Sequence, residues 1–166
     1  MYKISFVLLV GSIVSSSSYA AEWSLSGSAN PSAEYDDNIF MRDENKQGDY
    51  HVQMSPTLVA TRKQENSESS LSLGVSVDRY EASQQLNQEN PFLKFNTQLQ
   101  KERANWGLAL SYVESSSRSD AADDTGDFET NSTLTTSSIS SSFSYQLTER
   151  DIVSLSASYA EKEYST

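Results

Sequence analysis

The residues best placed to do chemistry lie near the start of the chain. Asp36, Asp37 and Asn38 sit between two aromatic residues in EYDDNIF, Glu34 to Phe40. Adjacent carboxylates beside an amide can ligate a hard cation, act as an acid and base pair, or release a strand into a turn. Calcium takes six or more oxygen ligands, and the DxDxDG spacing of a calcium loop is missing. Short Asp and Asn side chains hydrogen-bond nearby backbone amides and so start turns. The third option is therefore the expectation, with Tyr35 closing a strand and Ile39 and Phe40 folding back against its rim.

The remaining reactive side chains point to no catalysis. His51 is the single histidine and the chain has no cysteine, so a zinc site would be hard to assemble. His51 falls on a polar strand face, where a hydrated side chain is expected. Serines are abundant, but neither a GxSxG turn nor a second histidine accompanies them. The acids Asp120, Asp123, Asp124, Asp127 and Glu129 read as a solvated loop tip, or as a bridge through divalent ions to lipopolysaccharide phosphates, or as a repellent of anionic polymers. No enzyme, cofactor or resident metal is expected.

The elements that position these residues follow from composition and periodicity. Residues 1–20 have the basic start, apolar run and small-residue end of a signal peptide, with cleavage expected between Ala20 and Ala21. Loss of Lys3 takes the formal net charge from -11 to -12. So acidic a chain, with no basic stripe, argues against nucleic acid. Without disulfides, an exported chain must be held by a core, a membrane or a partner.

Alternation with period 2 runs through the mature chain, which predicts an all-β fold. Trp23, Leu25 and Tyr35 alternate with Ser24, Ser26 and Glu34. Leu71, Leu73, Val75 and Val77 alternate with Ser70, Ser72 and Ser76. Leu93 and Phe95 oppose Lys94, Asn96 and Gln98; Leu108 and Leu110 oppose Gly107 and Ala109; Leu155 sits among serines. Seven strands are expected in an antiparallel up-and-down meander. Long acidic connections (DDNIFMRDENKQGD, RYEASQQLNQEN, ESSSRSDAADDTGDFETN) alternate with shorter ones (RKQENSES, KERA, TERD), as in outer-membrane barrels with long loops outside.

This arrangement predicts that Trp23, Leu25, Leu71, Leu73, Val75, Val77, Leu108, Leu110 and Leu155 face lipid. Ser24, Ser26, Ser72, Lys94, Asn96 and Gln98 then face a wet lumen. Trp23 and Tyr35 are twelve residues apart on one face, about 28 Å along the membrane normal at a 45° tilt, close to the aromatic girdles of a barrel. A secreted, soluble all-β adhesion or matrix-binding module with the apolar faces packed together is the alternative.

The hexapeptide YDDNIF, Tyr35 to Phe40, following a short first strand and a signal peptide, resembles the N-terminal signature of the outer-membrane β-barrel porin family of the porin-2 type. That resemblance spans the mature chain loosely. It implies a Gram-negative outer-membrane protein with a pore-like role or one in exopolysaccharide or envelope export. Its implied partners are membrane lipid and lipopolysaccharide, the barrel assembly machinery and a polysaccharide, and it brings no catalytic residue. Seven strands depart from the even number of a closed single-chain barrel. Residues 21–166 are thus expected to be the N-terminal portion of a longer barrel, forming an open, curved sheet.

Overall fold

A computed structural model of the protein describes residues 21–40, 42, 44–116 and 133–165. The expected signal peptide and the acids Asp120 to Glu129 lie outside these residues. The described chain is all-β and antiparallel, with strands β1 (Glu22–Ser28), β2 (Pro31–Asp36), β3 (Asp49–Met54), β4 (Thr57–Gln64), β5 (Ser67–Tyr80), β6 (Gln88–Gln100), β7 (Ala104–Ser116), β8 (Thr133–Gln146) and β9 (Ile152–Ser165). They form one up-and-down sheet in the order β1, β4, β5, β6, β7, β8, β9, with β2 on β3 and β3 on β5. The sheet does not close; β1 and β2 form one edge and β9 the other.

Nine strands reduce to the seven expected. Ser28 pairs with Thr57 and Pro31 with Met54, a single register carried across the gap. β1 and β2 are therefore one strand interrupted at Ala29 and Asn30, facing a second interruption at Ser55 and Pro56. Proline lacks an N–H and cannot donate to a ladder. The far side of the ladder survives, because the Val75 N–H donates to the Pro56 carbonyl at 3.2 Å. The Gly74 backbone fits tightly beside it. A Cβ there would lie 2.5 Å from the Pro56 oxygen and 2.6 Å from the Phe92 ring.

The connections are shorter than the polar runs suggest. Only Glu65 and Asn66 separate β4 from β5, and β6 begins at Gln88, inside the stretch expected as loop. Polar residues continue a strand wherever its ends leave the apolar band, so alternation under-reads strand length. At the β8–β9 turn the Thr148 hydroxyl donates to Asp151 Oδ2 at 2.6 Å and accepts the Asp151 N–H at 3.1 Å. That side-chain turn offers the backbone a tight local partner.

Buried apolar side chains among the described residues are few: Ile39, Phe40, Leu86 and Leu134. Among the described residues no second layer covers the apolar face of the sheet. A soluble β domain buries one sheet face against another element, and here the large apolar side chains instead stay open.

Candidate functional site

Strand register decides which side chains share a face. Leu25 pairs with Ala60 and Ala60 with Leu71. Leu71 pairs with Phe95, Phe95 with Leu110, Leu110 with Ile139, and Ile139 with Tyr159. One hydrogen-bond row is thus apolar across β1 and β4 to β9. Trp23, Leu73, Val75, Val77, Leu108 and Leu155 lie on this same face. Many of them stay open: Leu25 is 69% exposed, Leu155 70%, Trp23 62% and Leu73 42%.

The apolar band is bounded and slanted. On β5 it runs from Leu71 to Val77 and ends at Arg79, whose guanidinium pairs with Glu89. At the opposite end Arg62 stacks over the Trp23 ring, 5.9 Å from its centroid. Trp106, inside the band, satisfies its indole N–H on Ser141 Oγ at 3.1 Å. Leu71 begins the apolar run of β5, whereas Tyr159, on the same row, ends that of β9. The centre of the run therefore shifts by six residues over four strand-to-strand steps. At about 3.3 Å per residue and about 4.8 Å between strands, that is a slant of roughly 45° to the hydrogen-bond rows. Strands in closed barrels tilt by about 35–45°.

The opposite face is hydroxylated and concave. Ser24 faces Thr61, which faces Ser70, which faces Asn96. Ser26 and Ser72 both pair with Val59, and Ser72 also pairs with Lys94. A groove of about 290 Å³ is lined by Asn96, Gln98, Ser140, Ser142, Ser156 and Ser158, among others. A second, of about 670 Å³, is lined both by Lys63 to Glu68 of the β4–β5 hairpin and by Ser154 to Ser156 of β9. Three strands separate these in the sheet, so the sheet curls with its polar side inward.

At the long-loop end of this concave face the EYDDNIF stretch folds inward. Tyr35 stays on the apolar face with its ring 4.9 Å from that of its pair Tyr50. The Asn38 N–H donates to Asp36 Oδ1 at 2.8 Å, the turn geometry expected of these acids. Asn38 then clamps Arg42: its Nδ2 donates to the Arg42 carbonyl at 2.9 Å and its Oδ1 accepts the Arg42 N–H at 3.0 Å. Asp37 remains exposed. The Ile39 N–H donates to the Gln47 carbonyl at 3.0 Å, and Ile39, Phe40 and Leu86 bury one another with Tyr80 against them.

Asp49 anchors the second loop to this cluster. Its carboxylate accepts the N–H groups of Ala82 at 3.0 Å and Ser83 at 2.7 Å. Burial alone would raise its pKa, but these amides outweigh burial and hold the carboxyl below its ordinary value. Asp49 lies beyond the Tyr35 and Tyr50 rim, outside the apolar band.

His51 departs from expectation. Its side chain is only 22% exposed, its ring stacks on Tyr80 at 4.8 Å and 14°, and its Nε2 is 3.1 Å from Asp78 Oδ1. Alternation placed it on the correct polar face but carried no sign that a loop would fold over that face. The one available signal was isolated large apolar residues, Ile39, Phe40 and Leu86, in otherwise polar loops; Leu86 lies outside every periodic run. Among the described residues no group of three or more histidines and carboxylates could hold a metal ion. No protein-family model, curated protein or solved structure matches the chain.

Proposed function

We propose that this chain forms part of the wall of an outer-membrane, porin-like β-barrel, with its hydroxylated concave face lining a channel and its apolar face in lipid. The observation that carries this reading is the slanted apolar band: continuous from β1 to β9, open to solvent on an unlayered sheet, and inclined by about 45°. A level hydrocarbon slab requires that slant when strands cross it tilted. In water so large an apolar surface is a liability. Lipid removes the penalty.

On this reading the chain carries out no chemistry and serves passage of solutes or export of an envelope polymer such as an exopolysaccharide. The YDDNIF resemblance to the porin-2 type family supports the same assignment, and a signal peptide with delivery by the barrel assembly machinery belongs to it. Lipopolysaccharide would meet the outer rim. The test is fractionation of the full-length protein: it should enter the outer-membrane pellet and change its mobility on gels after boiling. Recovery from the soluble periplasm would refute the proposal and favour the secreted adhesion module.

A further inference from the structure

The middle of the concave face is almost free of charge. Opposite the centre of the apolar band the side chains are Ser26 and Ser28 on β1, Thr57 and Val59 on β4, Ser72 on β5, Ala109 and Ser111 on β7, and serines on β8 and β9. The exception is on β6. Lys94 lies between Leu93 and Phe95, beside the middle of that strand's apolar run, and pairs across the sheet with Ser72 and Ser111. Its side chain is exposed, and its Nζ lies 5.8 Å from the centroid of the Phe92 ring. The ion pairs among the described residues are His51 with Asp78, Lys63 with Glu68 and Arg79 with Glu89. Lys94 takes part in none of them.

An uncompensated ammonium group here has a different standing from other charges of the wall. Lys63 and Glu68, 3.4 Å apart at the short-turn end, largely cancel. Acids dominate the long-loop end, where Glu34, Asp36, Asp49 and Asp78 project to the concave side. They draw cations to that mouth. A single positive charge half-way through a narrow passage, walled by low-dielectric material, acts against them on any ion that must pass it. Rings of lysine and arginine serve this purpose in anion pores.

Resting on the pore reading above, we propose that Lys94 is the residue that sets the charge preference of the channel, retarding cations past the midplane while the serine-lined remainder admits uncharged hydroxylated solutes. The experiment uses the full-length protein in planar bilayers under a potassium chloride gradient, at about 0.1 M on the dilute side, where the screening length is about 10 Å. Reversal potentials give the chloride-to-potassium permeability ratio. Lys94→Gln is expected to lower that ratio about 25-fold, because one charge at contact distance in water weighs about fivefold on each ion and acts in opposite directions on chloride and potassium. Lys94→Glu should lower it further, and Lys94→Arg should preserve it.

The 166 residues hold no cysteine, so with any cysteine elsewhere in the full-length protein replaced by serine, the Lys94→Cys variant can be given back its charge by a cationic thiosulfonate reagent, or the opposite charge by an anionic one. The ratio should move up with the first and down with the second. Open channels with the same ratio in wild type and Lys94→Glu, or Lys94→Cys channels whose ratio ignores both reagents, would overturn the role of Lys94 and leave the pore reading standing. Absence of channels in the wild type would overturn both.

Discussion

Replacing Leu73 by arginine tests the assignment of the apolar face. Leu73 pairs with Leu58 and Leu93, near the centre of the β5 apolar run, and is 42% exposed on the open sheet. If that face meets water, an arginine there costs little, because exposed substitutions away from special features stay within about 0.5 kcal/mol. If it meets acyl chains near the bilayer midplane, the cost is about 2–4 kcal/mol. That range is roughly a 30- to 900-fold loss in the ratio of folded to unfolded protein. Ser72→Arg, one residue away, projects to the concave side and should cost no more than about 0.5 kcal/mol by the same rule. The assay is reversible folding of the full-length protein into lipid vesicles by urea titration, read by tryptophan fluorescence and gel mobility. Equal costs at the two positions would mean that the faces have been assigned wrongly, or that neither meets lipid.

Gly74→Ala should destabilise the sheet by about 1–3 kcal/mol in the same titration, as overpacking does. Phe92→Leu should not restore it, since the Pro56 carbonyl also blocks the new methyl group. Phe40→Ala should loosen the inward-folded loops by about 3–5 kcal/mol of local stability, read as faster proteolytic nicking between β2 and β3 with little change in global unfolding. Asp49 supplies a pH dependence. Its folded pKa is lowered, so its contribution is complete above the ordinary carboxylate value of about 3.9 and is lost as pH falls through the lower folded value. Amide exchange at Ala82 and Ser83 should therefore accelerate only in acid, and Asp49→Asn should show the faster exchange already at pH 7.

Much of the sheet was legible because a strand has a period of two residues by construction: once Leu71, Leu73, Val75 and Val77 share a face, a slip of one residue would reverse them all. The same regularity made Leu25, Leu110 and Leu155 assignable without knowledge of their partners. Three things were not legible. The paired breaks at Ala29–Asn30 and Ser55–Pro56 depend on which residues face each other, a relation between strands that neither strand carries alone. Strand ends such as Gln88 to Asn90 are polar on both sides and lose the periodic signal where they leave the apolar band. The cluster of Ile39, Phe40 and Leu86 over Tyr80 and His51 joins loops distant in the chain, held by Asp49, whose role depends on the two amides it meets in space.

The open borders of the sheet carry a geometric consequence. With seven rungs in strict alternation, β1 and β9 ascend together. Neighbouring copies of this chain sharing one orientation in a bilayer could therefore offer each other only ascending borders, which can join side by side in parallel but never in the antiparallel pattern of the rest of the sheet. To complete a cylinder without a parallel seam, whatever fills the gap must both enter and leave on a descending rung. It must therefore contribute an odd number of strands.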